Sequence, residues 1–275
     1  MSAAQPSALQ LSDMEVEGQH LRVGRWQGRN AGTPLLIFNG IGANIELLEP
    51  FVAALDGVEV VTFDIPGTGG SKLPALPYRF SSLARLTTHL LEELGCPGAV
   101  DVLGVSWGGA LAQQFAHQFS NRCRRLVLAA TSAGAFMVPG HPSALLKLLS
   151  PRRYSDPEYL HEVGPALYGG AYRRDPELLR AHSQQIRPPG GLGYAYQLLA
   201  GWGWTSAHWL RSLRQPTLVM HGTDDPIVPL VNAKLLAALI RGARLHLIDD
   251  GHLFIVTRAR EIAPVVRGFL AGEPA

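Results

Sequence analysis

The sequence predicts an α/β fold in which a mostly parallel central sheet carries helices on both faces. Short apolar runs, each ended by a turn or a polar cluster, alternate along the chain with segments of helical length. Runs of this kind are typical of strands that are buried on both faces of a parallel sheet. The repeated order of strand, helix and strand places the chain in the α/β class.

The composition is that of a globular protein and argues against several other classes. Of 275 residues, 47% are hydrophobic and 17% are charged. Two cysteines are too few for a disulfide framework or a four-cysteine zinc site. A formal charge of +2 without a long basic run argues against a nucleic-acid partner, because phosphate neutralisation needs a concentrated positive face. No transmembrane segment or signal peptide is recognisable, so we expect a cytoplasmic protein.

The elements are predicted in chain order from these runs. The first dozen residues, rich in Ser, Ala and Gln, are expected to be frayed. The predicted strands are Leu35–Phe38, Val58–Phe63, Val100–Val105, Leu126–Ala129, Thr217–Met220 and Arg244–Ile248. The predicted helices between them include Ser81–Leu94, Gly108–Phe119 and Pro229–Ile240.

One region departs from this alternation. Residues 134–214 contain no clear buried strand, but they carry six of the seven tyrosines and three of the five tryptophans. Pro-Gly signals divide the region into helix-sized pieces. Because a solvated linker would not carry nine large aromatic side chains, we predict that residues 134–214 form a helical cap over one end of the sheet. Residues 1–133 and 215–275 would form the core.

A candidate nucleophile stands at the end of the strand Val100–Val105. The sequence Gly104-Val105-Ser106-Trp107-Gly108 is a G-x-S-x-G motif between a strand and a helical segment. A serine at such a sharp turn has strained backbone geometry, and only very small neighbours two positions away avoid a clash. The turn exposes the hydroxyl and directs the N-terminus of the next helix at developing negative charge. We therefore predict Ser106 as a catalytic nucleophile.

A nucleophilic serine needs a base, and the base needs a group that orients it. With this type of turn, the acid precedes the histidine in the chain. The loop after Thr217–Met220 carries Asp224 and Asp225, and the spacing from the preceding glycine and the following proline favours Asp225, with Asp224 as the alternative. The loop after Arg244–Ile248 carries His252, which we predict as the general base.

The oxyanion hole is expected to use two backbone N–H groups. One belongs to Trp107, directly after the serine. The other is assigned to Ile41, in the glycine-containing loop that follows Leu35–Phe38. No ligand spacing for a metal is present, and serine-based hydrolysis needs no cofactor, so neither a metal nor a cofactor is expected.

The substrate is expected to meet polar and aromatic side chains of the loop and the cap. An aromatic cap suits an apolar substrate with aliphatic side chains. For any single aromatic residue, the alternative is that it belongs to the cap's own core. The candidates for substrate contact are Asn39, Trp202, Trp204, His208 and Trp209.

With these residues in place, the chain resembles the α/β-hydrolases and, within that superfamily, the intracellular polyhydroxyalkanoate depolymerases of the medium-chain-length type. The resemblance covers nearly the whole chain. Asn39 is the residue expected in this family, whereas many other hydrolases have histidine there; Thr223 stands where a more acidic run is expected. The resemblance rests on residues 34–44 (PLLIFNGIGAN), 104–117 (GVSWGGALAQQFAH), 150–154 (SPRRY), 203–209 (GWTSAHW) and 248–254 (IDDGHLF).

This resemblance implies an α/β-hydrolase fold with the cap inserted after the sixth strand, and the roles of Ser106, Asp225 and His252 given above. It also implies that the substrate is the polyester of storage granules, that the products are 3-hydroxyalkanoic acids or oligomers, and that the protein associates with granules. Polyester synthases of this fold use cysteine as the nucleophile, so Ser106 favours hydrolysis. The alternatives are a small-molecule carboxylesterase or C–C bond hydrolase of the same fold, or a non-catalytic granule-binding protein.

Overall fold

The centre of the molecule is a sheet in which β3 to β8 run parallel. The structure, a computed structural model, describes residues 8–29, 32–175 and 177–273. Within these ranges the strands are β1 (Leu9–Val16), β2 (Gln19–Trp26), β3 (Leu35–Phe38), β4 (Val60–Phe63), β5 (Val100–Val105), β6 (Cys123–Ala129), β7 (Thr217–Gly222) and β8 (Arg244–Ile248). Their spatial order is β1-β2-β4-β3-β5-β6-β7-β8, and only β1 and β2 pair antiparallel to their neighbours. The predicted α/β fold with a mostly parallel sheet is confirmed.

The central strands are buried because helices cover both faces. In β3, Leu36 pairs with Val61 of β4 on one side and with Val102 of β5 on the other. Successive side chains of a strand point to opposite faces, so Leu36 joins the apolar cluster on one face of the sheet and Ile37 joins the cluster on the other. Burial on both faces explains why the central strands appear in the sequence as short, mainly apolar runs.

Helices of the core flank the sheet. The three helices that the sequence predicts are present, and each begins and ends within one residue of its expected bounds. In chain order the core helices are α1 (Glu49–Leu55), α2 (Phe80–Glu93), α3 (Trp107–Gln118), α10 (Leu230–Leu239), α11 (Phe254–Thr257) and α12 (Ala259–Ala271). No helix among the described residues combines the length and hydrophobicity needed to cross a bilayer.

The first strand corrects the expectation that the first dozen residues are frayed. Leu9–Val16 pairs with β2 along its whole length, from Leu9 opposite Trp26 to Val16 opposite Gln19. It is the edge strand of the sheet, and most of its side chains are exposed, so it lacks the apolar run that marks a buried strand. Residues 1–7 lie outside the described residues.

The region from residue 134 to 214 is helical and separates β6 from β7; we call it the cap segment. Side chains from several of its helices pack with Ile227 and Val228, which follow β7, in a third apolar cluster. A single antiparallel bridge between Gly134 and Thr205 joins the two ends of the segment. Its helices are α4 (Pro142–Leu148), α5 (Arg152–Ser155), α6 (Pro157–Tyr168), α7 (Gly170–Arg174), α8 (Glu177–Ser183) and α9 (Gly191–Gly201).

Candidate active site

Ser106 lies at the tip of a sharp turn between β5 and α3. Its backbone has φ 54° and ψ −116°, a left-handed conformation that is costly for any residue with a side chain. A side chain at Gly108 would press against the carbonyl groups of Phe38 and Asn39, and one at Gly104 would come within 2.6 Å of Ala112. The two glycines of the motif are therefore required for the close approach of strand and helix that holds Ser106 in this conformation.

The structure brings three of the predicted side chains into one hydrogen-bonded series. The Oγ atom of Ser106 lies 3.0 Å from Nε2 of His252, and Nδ1 of His252 lies 2.7 Å from Oδ2 of Asp225. The other carboxylate oxygen of Asp225 accepts hydrogen bonds from the backbone N–H groups of Ile227 and Val228, both at 2.9 Å. Asp225 and His252 are buried, which confines the imidazole to this orientation.

The alternative acid, Asp224, is directed to a different part of the molecule. One of its oxygens accepts from the backbone N–H of Gly170 and the other from the guanidinium of Arg173, both at 2.8 Å. Both partners belong to α7 of the cap segment. The geometry thus places Asp225, and not its neighbour, against His252.

A second histidine supports the loop that carries Asp225. His221 is fully buried at the end of β7, and its Nε2–H donates to the carbonyl oxygen of Val228 at 2.8 Å. Burial lowers the pKa of His221, so its imidazole stays neutral beside Asp225. The Val228 peptide is therefore fixed through its carbonyl by His221, while its N–H binds the carboxylate of Asp225.

The two predicted oxyanion donors flank Ser106. Ile41 lies in the loop after β3 and on the wall of the cavity in front of the serine, and its N–H has no acceptor among the described residues. Trp107 is the first residue of α3, where backbone N–H groups have no acceptor within the helix. Asn39 holds the loop of Ile41 in shape, because its side chain accepts from the N–H of Gly40 and donates to the carbonyl of Asn44.

The cap segment supports the same loop through a residue that the sequence analysis did not identify. The side-chain oxygen of Gln197 accepts from the N–H of Gly42 at 2.7 Å, and its backbone carbonyl accepts from the indole N–H of Trp107 at 2.8 Å. Tyr154 adds a hydrogen bond from its hydroxyl to the carbonyl of Ile41. The sequence signal for Gln197 is one polar residue within the otherwise apolar sequence of α9.

Comparison with known proteins identifies the family of the chain. The model of the α/β hydrolase fold matches residues 33–259 of the chain. The chain belongs to the α/β-hydrolase family. Among solved structures, an enol-lactonase from Burkholderia xenovorans LB400 superposes with a TM-score of 0.80 at 24% identity, covering 94% of this chain and 100% of that one. At this identity the likeness shows the fold alone.

Two named proteins resemble the chain over most of its length. A poly(3-hydroxyalkanoate) depolymerase from Ectopseudomonas oleovorans is 55% identical over 261 residues, which cover 94% of this chain and 92% of the relative. A pimeloyl-[acyl-carrier protein] methyl ester esterase from Aromatoleum aromaticum is 30% identical and covers 85% of this chain and 95% of the relative. The resemblance to polyhydroxyalkanoate depolymerases that the sequence motifs indicated is confirmed.

In this α/β-hydrolase, the cavity in front of Ser106 has walls from both parts of the chain. The core supplies Ser106, His252 and Ile227 of the loop that carries Asp225, together with the apolar side chains of Leu47 and Leu48, which follow β3. Among the residues that the cap segment contributes are Leu148, Arg153, Tyr154, Tyr168 and His182. Burial lowers the pKa of His182 to about 4, so this side chain is neutral near pH 7.

The cap residues predicted to contact substrate lie elsewhere in the described structure. Trp202 is 87% exposed. Trp204 packs edge-on against Phe80, and Trp209 stacks on His117 with ring centres 4.2 Å apart. His208 is exposed beside Trp209. These residues follow α9, where the chain returns to the core, and none of them is in the described cavity wall. Their contact with substrate stays a prediction.

The loop of His252 is joined directly to the cap segment. The backbone N–H of His252 donates to the carbonyl of Tyr168 at 2.7 Å, where α6 ends. The adjacent Asp250 is buried and accepts from the N–H of Ala171 at 2.5 Å and from the hydroxyl of Thr257 at 2.6 Å. The position of the imidazole therefore depends on the junction between α6 and α7.

Proposed function

We propose that this α/β-hydrolase is a serine esterase that cleaves the ester bonds of intracellular medium-chain-length polyhydroxyalkanoate, releasing 3-hydroxyalkanoic acids or oligomers. The observation that carries the chemistry is the continuous series from the Ser106 hydroxyl through His252 to Asp225, at 3.0 and 2.7 Å. The substrate class is supported by the 55% identity to a poly(3-hydroxyalkanoate) depolymerase.

In the first half of the reaction, Nε2 of His252 takes the proton of the Ser106 hydroxyl while Oγ attacks the ester carbonyl. The carbonyl oxygen gains negative charge and is stabilised by the N–H groups of Ile41 and Trp107. Such donors act strongly because they are already oriented, and losing one typically costs about 3–4 kcal/mol of transition-state stabilisation. The alcohol side of the ester then leaves with the proton held by His252.

In the second half, a water molecule gives its proton to His252 and attacks the acyl group bound to Ser106. Collapse of this intermediate releases the acid and returns the proton to Oγ. Asp225 keeps the Nδ1 proton of His252 in place, which leaves Nε2 free to accept a proton, and it stabilises the imidazolium that forms in each half. The cycle uses no group outside the chain and water.

Residues 134–214 serve as the cap over this site, with residues 1–133 and 215–275 as the core. Support comes from the cavity wall, which the cap segment shares with the core. The large apolar side chains with the greatest exposure are concentrated in the same segment, as expected of a face that meets a hydrophobic granule. In this segment they are Phe136, Leu146, Leu149, Leu192, Leu199 and Trp202, whereas Leu76 is the residue of comparable exposure in the core.

The test is incubation of the purified protein with amorphous medium-chain-length polyester granules, followed by identification of the released acids. We expect 3-hydroxyalkanoic acids or their oligomers, and none from Ser106→Ala. Hydrolysis of short p-nitrophenyl esters without attack on the polymer would instead indicate a small-molecule esterase. A folded protein that neither hydrolyses esters nor reacts with a fluorophosphonate probe would indicate a non-catalytic role.

A further inference from the structure

A buried cation in the cap segment faces the catalytic cavity. Arg153, in α5, is 2% exposed and lies on the wall of the same cavity as Ser106. No carboxylate of the described residues forms a salt bridge with it. Arginine remains protonated in proteins, so this site carries a full positive charge inside the molecule.

The groups around the guanidinium of Arg153 are neutral. One terminal nitrogen donates to the hydroxyl of Tyr194 at 2.9 Å and to the carbonyl of Ser150 at 3.2 Å, and the other donates to the hydroxyl of Tyr154 at 3.4 Å. The carbon of the guanidinium lies 4.4 Å from the ring centre of Tyr154. The Nε–H is buried without any acceptor among the described residues.

A second buried arginine, Arg22, has the carboxylate partners that Arg153 lacks among the described residues. Arg22 is 8% exposed, and its guanidinium is paired with the carboxylates of Glu46 and Asp64. Isolated charges are costly to bury, and buried arginines are normally paired. The site of Arg153 thus has a charge and a donor for an anion that the described part of the chain does not supply.

We infer that Arg153 binds the free carboxylate at the end of a hydroxyalkanoate chain, and that the enzyme removes units from the carboxyl end. This inference rests on the proposed function and adds the polarity with which the polyester enters the site. The planar guanidinium suits a carboxylate because two N–H groups can meet its two oxygens.

The position of Arg153 relative to the reacting groups agrees with this role. Its terminal nitrogen contacts the hydroxyl of Tyr154, and that hydroxyl donates to the carbonyl of Ile41, whose N–H is the proposed oxyanion donor. In a 3-hydroxy acid polymer, only the ester oxygen and two carbon atoms separate the last ester carbonyl from the terminal carboxylate. A chain end can therefore present its last ester to Ser106 and its carboxylate to Arg153.

The cleavage that follows is ordinary ester hydrolysis. Oγ of Ser106 forms a bond to the last ester carbonyl carbon, and the bond from that carbon to the alkoxy oxygen breaks. The alkoxy oxygen takes the proton from His252, so the terminal unit leaves as a 3-hydroxy acid with its carboxylate still ionised. Water then releases the shortened chain from Ser106 with a new terminal carboxylate.

The experiment compares a linear 3-hydroxyoctanoate trimer as the free acid with its methyl ester, with ¹³C in the carboxyl-terminal unit. We expect the wild-type protein to favour the free acid by about 10- to 100-fold in kcat/KM, the range for hydrogen bonds to charged groups, and to release labelled monomer first. Because the ratio is taken within each protein, a general loss of activity cancels. Arg153→Met should bring the ratio close to one, and Arg153→Lys should retain part of it.

Arg152→Met is the matched control, because this adjacent arginine is exposed and pairs with Asp156, and it should leave the ratio unchanged. Equal rates on free acid and methyl ester by the wild-type protein would overturn the inference while leaving the proposed function intact. Cleavage of neither trimer, together with no release of acids or oligomers from polyester granules, would refute the proposed function. In that case the inference is tested with 3-hydroxyoctanoate as a competitor of p-nitrophenyl ester hydrolysis. The inference requires inhibition of Arg153→Met to be about tenfold weaker than inhibition of the wild-type protein. It fails if the wild-type protein is not inhibited or if both proteins are inhibited equally.

Discussion

Replacing Asp225 by asparagine separates the catalytic role of this residue from its structural role. In the structure, one carboxylate oxygen accepts from the N–H groups of Ile227 and Val228, and the other accepts from Nδ1 of His252. Asparagine can keep its oxygen on the two backbone groups. Its NH₂ group then faces Nδ1 of His252, which must accept a hydrogen bond instead of donating one.

This change of partner moves the proton of His252 from Nδ1 to Nε2. Nε2 then points an N–H at Ser106, 3.0 Å away, and has no lone pair with which to take the hydroxyl proton. In serine proteases the same change lowers kcat about 10⁴-fold, which corresponds to about 5.5 kcal/mol of activation free energy. The stability of Asp225→Asn should change little, because both backbone donors keep an acceptor.

Asp225→Ala removes that acceptor as well. It leaves two buried N–H groups unsatisfied at a cost of about 1–3 kcal/mol each, so this variant should lose both activity and about 2–6 kcal/mol of unfolding free energy. The assay is kcat on p-nitrophenyl butyrate together with urea unfolding. Asp224→Asn is the control, because it alters an exposed ion pair worth at most about 1 kcal/mol.

The reasoning is refuted if Asp225→Asn retains more than a tenth of the wild-type kcat, or if Asp224→Asn proves to be the more damaging change. An equal loss of stability in Asp225→Asn and Asp225→Ala would contradict the role given to the backbone donors.

Three further predictions concern the turn, the cavity and the cap surface. Gly108→Ala should unfold the protein at lower urea and abolish esterase activity, because its Cβ meets the carbonyls of Phe38 and Asn39. His182→Gln should make the free energy of unfolding less sensitive to acid. The pKa of His182 is about 4 in the folded protein and 6.5 in the unfolded chain, so the wild-type protein loses up to about 3 kcal/mol of stability as the pH falls from 6.5 to 4. Trp202→Ala should lower the ratio of polymer to soluble-ester hydrolysis about tenfold, because an exposed indole would be buried on the granule.

Each of these has a clear contrary result. A fully active and stable Gly108→Ala protein would mean that the turn can widen. If the urea midpoints of the wild-type and His182→Gln proteins change by the same amount between pH 7.5 and 4.5, His182 takes up a proton in the folded state. An unchanged ratio for Trp202→Ala would place polyester contact on another part of the cap segment.

The parts of the site that follow from local sequence are those in which a strand ends in a loop. The bounds of Leu35–Phe38 and Val100–Val105 were predicted without error, because both are short, mainly apolar strands with turn residues after them. The turn at Ser106 and the loops of Asp225 and His252 follow directly from such strands. Since parallel strands place their carboxyl ends at one edge of the sheet, these loops had to be close.

The residues that sequence reasoning did not find act through contacts between distant segments. Gln197 binds the N–H of Gly42, which is 155 positions away, and Arg153 reaches the hydroxyl of Tyr194, 41 positions away. Gln197 stands out only as a polar residue within an apolar helix, and Arg153 has the local pattern of a surface arginine; neither pattern shows which distant group the side chain meets. The aromatic residues of the cap posed the same problem, because composition shows how many there are but not which of them face the cavity.

The sequence by itself determined the α/β class and indicated Ser106, His252 and the pair Asp224 and Asp225 as candidate catalytic residues, because each depends on a short run of residues and its own turn. Only the tertiary structure decided which acid of the pair Asp224 and Asp225 meets the imidazole, that the first strand exists, and that an arginine with no carboxylate partner among the described residues lies buried in the wall of the cavity that holds Ser106. These outcomes depend on packing between segments far apart in the chain, where burial and hydrogen-bond partners are set by the neighbours rather than by the local sequence.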